Sequence, residues 1–281
     1  MKHVLKTVVV ASALAAAGMA NAANVVVPVD GVTATQGFTA TGSGNLEISK
    51  NLAAAVKLGN VQVDAFAGAT VTTKTVVLTD SKGKTSSYLT YVGAAPVTSL
   101  TLDDAAGYKV VQAASAGGLA MTMAANPDLA ADGGAAPVGN LDIHFNADGS
   151  ASIFGTMTGT SYNGTVVNYS GLAFNVAASR ISGATSFPMA AGTYTTVLKG
   201  LAITQPAFDA LATVFGLDPD GLGYQSLQGA AADFGTMTSV IVAKAVTPAI
   251  PEPSTYALMG LGLFGLVIAS RHKSKGAAKQ T

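Results

Sequence analysis

The sequence predicts a mainly β domain, an antiparallel β-sandwich or jelly-roll-like fold with one short helix. Three observations support this class. β-Branched and alternating stretches recur at a spacing of about ten residues, turn-forming Gly, Asn, Asp and Ser separate them, and charged residues make up only 11% of the 281-residue chain. Amphipathic helices need a charged face, whereas short strands joined by tight turns do not. The composition therefore favours strands over helices.

The clearest predicted element is a hairpin near residue 80. Thr73–Thr79 and Ser86–Val92 are rich in β-branched residues, and Asp80-Ser81-Lys82-Gly83-Lys84 between them is rich in turn residues. Similar patterns predict the other strands, which are Asn60–Ala67, Ser99–Leu102, Tyr108–Ala113, Leu119–Ala124, Asn140–Phe145, Ala151–Met157, Thr165–Tyr169, Leu172–Ala177, Tyr194–Leu198 and, last in the domain, Thr238–Ala245.

The predicted helix is Pro206–Phe215. It begins with a proline, which the first helical turn tolerates, and its apolar residues recur at helical spacing. A weaker pattern near Asn51–Leu58 leaves a second short helix open. Asn126–Pro137 is rich in Pro, Asp, Ala and Gly and predicts a surface loop.

The charge of the chain is unevenly distributed. Between Ala23 and Ile250, nine Lys and Arg residues stand against fourteen Asp and Glu residues, a net charge of −5, and the other basic residues lie near the two ends. Binding to a phosphate backbone needs a basic face, so the sequence argues against nucleic acid as a partner. The chain also has no Cys, so apolar burial must stabilise the domain without disulfides.

The first 22 residues have the three parts of a secretory signal peptide. Two lysines form a basic start, an apolar run follows, and Ala20 and Ala22 are the small residues that signal peptidase requires before the cleaved bond. The sequence therefore predicts a signal peptide over residues 1–22 and an exported β-rich domain over residues 23–247.

The C-terminal residues carry the most specific motif of the sequence. Pro251, Glu252 and Pro253 precede an apolar run from Tyr256 to Ile268, and basic residues follow directly. This order resembles the PEP-CTERM protein-sorting signal, over residues 248–281. The resemblance implies that an exosortase processes the chain near the Pro-Glu-Pro box after transient anchoring in the inner membrane. Such systems accompany exopolysaccharide production in Gram-negative bacteria.

The Pro-Glu-Pro box has a physical basis as a recognition element. Pro251 and Pro253 fix their own φ angles and favour extended geometry in the residues before them. The box is therefore expected to present the Glu252 carboxylate on a stiff segment, which an enzyme cleft can bind at a low entropic cost.

The residues after the box are predicted to form a single transmembrane helix. Tyr256–Ser270 would span about 22 Å, and Arg271, Lys273 and Lys275 are expected to stay on the cytoplasmic side. The side chains predicted to form the membrane anchor are Tyr256, Leu258, Leu261, Leu263, Phe264, Leu266, Val267 and Ile268.

One histidine lies in the exported domain. His144 and Asp142 would share a face of a strand, so a Ser-His-Asp arrangement would have to use them. No G-x-S-x-G nucleophile elbow accompanies them, and we interpret His144 as a structural residue. With no Cys and this one His, the domain also lacks the ligands of a zinc site. The sequence therefore predicts no catalytic residue, no metal site and no cofactor.

Two acidic turns could attract Ca²⁺. Asp148-Gly149 lies between two predicted strands, and Asp218 and Asp220 follow the predicted helix without the downstream Glu of an EF-hand loop. Tight turns explain both segments, while a weak calcium site at Asp218 and Asp220 stays open.

Two hypotheses for the function follow. The first is an exported, exosortase-processed surface or extracellular-matrix protein that associates with exopolysaccharide without catalysis and presents a smooth surface of Thr, Asn and Tyr. The alternative is a secreted carbohydrate-active hydrolase with two carboxylates about 5–10 Å apart in a cleft. In either case signal peptidase and the exosortase are partners. The body would face the periplasm before processing and lie at the cell surface or in the medium afterwards.

Overall fold

The structure is a computed structural model that describes residues 24–246. The predicted signal peptide, the Pro-Glu-Pro box and the predicted transmembrane helix lie outside these residues. Within them, no helix is both long and apolar enough to cross a membrane.

Antiparallel strands account for most of the described residues, which confirms the predicted mainly β class. The strands are β1 (Asn24–Pro28), β2 (Phe38–Ile48), β3 (Gln62–Phe66), β4 (Thr70–Thr79), β5 (Thr85–Asp103), β6 (Lys109–Ser115), β7 (Gly118–Met123), β8 (Gly134–Phe145), β9 (Ala151–Ser161), β10 (Val166–Val176), β11 (Ile181–Gly183), β12 (Gly192–Lys199), β13 (Ala202–Ile203) and β14 (Gly235–Ala245).

Three short α-helices accompany the strands between residues 24 and 246. They are α1 (Lys50–Leu58), α2 (Gln205–Val214) and α3 (Leu222–Gln228). The helix predicted at Pro206–Phe215 is confirmed as α2, and the weaker pattern near Asn51–Leu58 is confirmed as α1. The sequence predicted one short helix, whereas the described residues contain three. α3 was missed because seven residues show too few turns for a periodic apolar pattern.

The strands form one hydrogen-bonded network that continues through β5. Its order is β11-β12-β14-β2-β5-β6-β8-β9-β10-β13, and β1, β3, β4 and β7 join at the sides. Residues 92–96 of β5 pair with β2, whereas residues 97–103 pair with β6. β5 therefore belongs to two layers. Layer one contains β2, β4, β11, β12 and β14, and layer two contains the remaining strands.

The core lies between the two layers. Met237 and Ile241 of β14 line the same small cavity as Leu100 of β5 and Ile143 of β8. The side chains that point into the core alternate along each pleated strand with a period of two. β9 shows this alternation, because every second side chain of this strand is buried. α2 packs against β8, β9 and β10 and buries its apolar face there.

The predicted hairpin near residue 80 is confirmed as β4 and β5. Oδ1 of Asp80 accepts hydrogen bonds from the backbone N–H groups of Lys82 and Lys84, each at 2.8 Å. Gly83 has a φ of 75°, in the left-handed region that glycine adopts without strain. The turn residues thus have the roles that the sequence predicts for them.

The predicted surface loop Asn126–Pro137 was wrong in its second half. Pro127–Leu129 forms a turn of 3-10 helix, but β8 begins at Gly134. A Cβ atom on Gly134 would lie 2.1 Å from the carbonyl oxygen of Val214 at the end of α2. The glycine that suggests a loop in the sequence permits close packing of a helix on a strand instead.

Two further differences concern strand length and number. β2 was not predicted because Gly42, Ser43 and Gly44 interrupt its β-branched pattern. The predicted strands Thr165–Tyr169 and Leu172–Ala177 form the single strand β10, whose register shifts between residues 172 and 174. Such a bulge lets a strand continue past a local irregularity.

Candidate functional site

The outer face of layer two carries uncharged polar side chains along β9 and β10. Thr158 lies opposite Asn168, and Thr156 lies opposite Ser170. Thr158, Asn168 and Ser170 are exposed and Thr156 is half-buried. Their hydroxyl and amide groups lie on a sheet surface, where they can donate and accept hydrogen bonds without the cost of removing charges from water.

Phe154 places an aromatic ring on this polar face. Its exposed fraction is 37%, and it lies between Asp142 of β8 and Leu172 of β10 in the strand register. The ring of His144 packs against it with centroids 4.9 Å apart and an interplanar angle of 55°. An exposed ring held by a neighbouring ring is a surface on which an apolar face of a ligand can stack.

Asp142 connects the neighbouring strands through hydrogen bonds. Nε2 of Gln112 on β6 donates to both carboxylate oxygens, at 2.9 and 2.8 Å. Nε2 of His144 lies 2.9 Å from Oδ2 of the same carboxylate. The prediction that Asp142 and His144 share a face is thus confirmed. We call Gln112, Asp142, His144 and Phe154 the Phe154 platform.

The hydroxyl group nearest to the platform in the strand register is that of Ser152, whose hydrogen-bond partner is Asn146. Ser152 lies opposite His144 in the register, but its Oγ accepts a hydrogen bond of 3.0 Å from Nδ2 of Asn146. Within residues 24–246, His144 makes no side-chain hydrogen bond to a hydroxyl group. The imidazole of His144 is thus hydrogen-bonded to the Asp142 carboxylate.

The turn at Asp148 uses its carboxylate for local structure. Oδ1 of Asp148 accepts hydrogen bonds from the hydroxyl of Ser150 at 2.6 Å and from its N–H at 2.9 Å. The Ser150 hydroxyl, followed by this N–H, lowers the pKa of the Asp148 carboxyl below its usual value. The carboxylate therefore stabilises the turn between β8 and β9.

The turn at Asp218 has a similar local role. Oδ1 of Asp218 accepts a hydrogen bond from the N–H of Asp220 at 3.0 Å, and its carbonyl accepts one from Gly221 at 2.8 Å. Gly221 is the N-cap of α3. In the part of the chain that the structure describes, no three His, Asp or Glu side chains are grouped closely enough to hold a metal ion.

Asp103 and Glu47 are two further acidic residues with local partners. Oδ1 of Asp103 accepts a hydrogen bond from the backbone N–H of Ala106 at 3.2 Å in a turn. The carboxylate of Glu47 forms an ion pair with the ammonium group of Lys74, with an N–O distance of 2.9 Å. Asp103 therefore stabilises a turn, and Glu47 pairs with a lysine of β4.

Sequence reasoning found the Asp142–His144 pair but missed Gln112 and Phe154. Gln112 comes from β6, and its position opposite His144 depends on a pairing between strands that the sequence does not specify. Phe154 could have been found, because Ile153 and Phe154 are adjacent and a strand cannot bury both on one face. The alternation with Ser152 and Thr156 places Phe154 on the polar side.

The residues of the predicted sorting and export signals lie outside the described part of the chain. This applies to Ala20 and Ala22, to Pro251, Glu252 and Pro253, and to the predicted anchor and basic tail.

Comparison with known proteins bears on the C-terminal residues. Residues 249–273 match the model of the PEP-CTERM protein-sorting motif, which confirms the resemblance found in the sequence. The motif implies an exported protein that is anchored transiently in a membrane and processed by an exosortase. No curated protein and no solved structure matches the chain.

Proposed function

We propose, from the sorting motif at residues 249–273, that this chain is secreted, held briefly in the inner membrane and released by an exosortase to act at the cell surface or in the extracellular matrix. The motif match is the observation that carries the proposal. Signal peptidase is the first partner of the chain and the exosortase the second. The predicted signal peptide and the basic residues after residue 270 support this route.

The exported domain associates with exopolysaccharide through the outer face of layer two. A pyranose ring has an apolar face of C–H groups and a rim of hydroxyls. The exposed ring of Phe154 can stack on the apolar face of the sugar. The Asp142 carboxylate and the Thr and Asn side chains of β9 and β10 can form hydrogen bonds with the sugar hydroxyls. The net charge of −5 in the domain disfavours nucleic acid as the polymer.

The role is structural and not catalytic. Two observations support this part of the proposal. Asp142 is hydrogen-bonded by Gln112 and His144, and His144 makes no side-chain hydrogen bond to a hydroxyl in the described residues. A hydrolase would instead need two carboxyl groups about 5–10 Å apart around one glycosidic bond.

Phe154→Ala is expected to weaken binding to the native exopolysaccharide by about tenfold or more, because a central aromatic anchor contributes much of the energy of an interface. The measurement is co-sedimentation of purified exported protein with polysaccharide from the native host. Leu89→Ala is the matched control, since Leu89 is an exposed apolar residue of β5 on the β4–β5 hairpin. Equal loss in both variants would contradict the assigned face.

The same incubation tests the hydrolase alternative. The polysaccharide is expected to keep its chain length, which size-exclusion chromatography measures. New reducing ends that increase with protein concentration would show hydrolysis and reject the structural role.

The mature chain is expected to begin at Ala23, because Ala20 and Ala22 fit the small pockets of signal peptidase. N-terminal sequencing of protein recovered from outside the cytoplasm checks this. A free N-terminus at Met1 in that material would contradict export through a cleaved signal peptide.

A further inference from the structure

An apolar cavity of about 120 Å³ lies in the core between the two layers. Leu46 and Met237 line it from layer one, and Ile143 and Met157 line it from layer two. Leu211 of α2 also reaches it. Apolar side chains from both layers and one helix thus line most of the cavity.

A row of small residues forms the wall of the cavity on layer one. Ser239 of β14, Gly44 of β2 and Ala95 of β5 are paired neighbours in the strand register, and all three line the cavity. Because three adjacent strands contribute small side chains at the same level, they leave space that larger residues would fill.

Neither the backbone nor packing requires glycine at position 44. Gly44 has no left-handed φ, and the nearest atom to a Cβ built there is the carbonyl oxygen of Ala95, at 4.0 Å. The contrast is Gly42 on the same strand, where a Cβ would lie 2.4 Å from Cδ1 of Ile241. Gly42 therefore permits packing, whereas the effect of Gly44 is to enlarge the cavity.

Two of the hydroxyls around the cavity have protein partners, whereas in the described residues the Ser239 hydroxyl makes no side-chain hydrogen bond and is a single polar group. The hydroxyls of Ser115 and Tyr169 donate to the carbonyl oxygens of Leu141 and Leu172, at 3.1 and 2.6 Å. In the part of the chain that the structure describes, no buried side-chain N or O atom lacks a hydrogen bond. Ordered water needs two to four polar partners, and an apolar cavity of about 150 Å³ stays dry and binds benzene.

We propose that this cavity is a binding site for a small, uncharged apolar molecule with about the volume of one benzene ring. The ligand contacts Leu46, Ile143, Met157 and Met237, and Gly44 provides the space that it occupies. This site is independent of the sorting signal and of the Phe154 platform, since it lies on the inner face of the layers.

The test uses the full chain in detergent micelles, with ¹³C-labelled Ile, Leu, Val and Met methyl groups, titrated with benzene. Saturable shifts are expected for the methyl groups of Ile143, Met157 and Met237. The methyl groups of Val77, an exposed residue of β4, are expected to show no saturable shift. Because the readout is specific to each residue, benzene dissolved in the micelles does not imitate it.

Gly44→Val is expected to weaken benzene binding by about tenfold or more, because it fills the space with a branched side chain. Ser43→Val places the same side chain on the opposite face of β2 and is expected to leave the affinity within about twofold of the wild type. Gly44→Ala adds one methyl group and is expected to weaken binding by about threefold, which keeps the test decisive if Gly44→Val does not fold.

Two results would overturn the site. One is the absence of saturable shifts in the cavity methyl groups of the wild-type chain. The other is unchanged benzene affinity in the folded variants at position 44.

Discussion

Replacing Glu252 with Gln is expected to leave the chain secreted but uncut, so that it accumulates in the inner membrane. The side chain keeps its shape and loses its charge, which removes the single carboxylate that the Pro-Glu-Pro box presents. A charged group bound by an enzyme contributes strongly to recognition, and its loss leaves the partner group unpaired. We expect a fall in the released fraction of about a hundredfold.

A double change of Pro251 and Pro253 to Ala separates stiffness from charge. This variant keeps Glu252 but frees two φ angles, so the segment loses more conformational entropy on binding. We expect partial loss of processing, smaller than the loss caused by Glu252→Gln. Both variants keep residues 1–22 and should still leave the cytoplasm.

The measurement follows the domain and a C-terminal tag separately in fractions of the native host. In the wild type, the domain should lose the tag and leave the inner membrane. Truncation after Pro248 is the control for anchoring and should give free periplasmic protein. If wild type and both variants all keep the tag in the inner membrane, the C-terminal segment is a permanent anchor and the sorting function is rejected.

Sequence patterns predicted the local elements well, because strands and turns depend on neighbouring residues. The strand Thr238–Ala245 shows where that information ends. It is confirmed within β14, but β14 pairs on one side with β12 and on the other with β2, about 190 residues away in the chain. Alternation of side chains fixes which face is buried, and it does not fix the neighbouring strand.

The candidate site was partly predictable for the same reason. Asp142 and His144 are two residues apart, so the sequence alone places them on one face. Gln112 joins them only through the pairing of β6 with β8, which is a long-range contact. The cavity was not predictable, since it depends on small residues from three paired strands meeting at Gly44.

Glycine-to-alanine changes at positions 118 and 44 are expected to have opposite effects on stability. A Cβ on Gly118 would lie 2.0 Å from the carbonyl oxygen of Val138 and 2.6 Å from Cα of Gly139, which are backbone atoms of the paired strand β8. Backbone atoms cannot rotate away, so Gly118→Ala must separate β7 from β8. We expect a loss of about 3 kcal/mol or more in the free energy of unfolding.

Gly44→Ala is expected to raise the free energy of unfolding by about 1 kcal/mol. The backbone at position 44 suits alanine, so the substitution lowers the entropy of the unfolded chain, and the added methyl group is buried in the cavity. Urea unfolding of the wild type and both variants, followed by circular dichroism, measures the two effects. A destabilised Gly44→Ala would mean that the space at Gly44 is already filled by neighbouring side chains. A stable Gly118→Ala would mean that β7 and β8 are not paired at Gly118 and Gly139, because that pairing leaves no volume for a side chain.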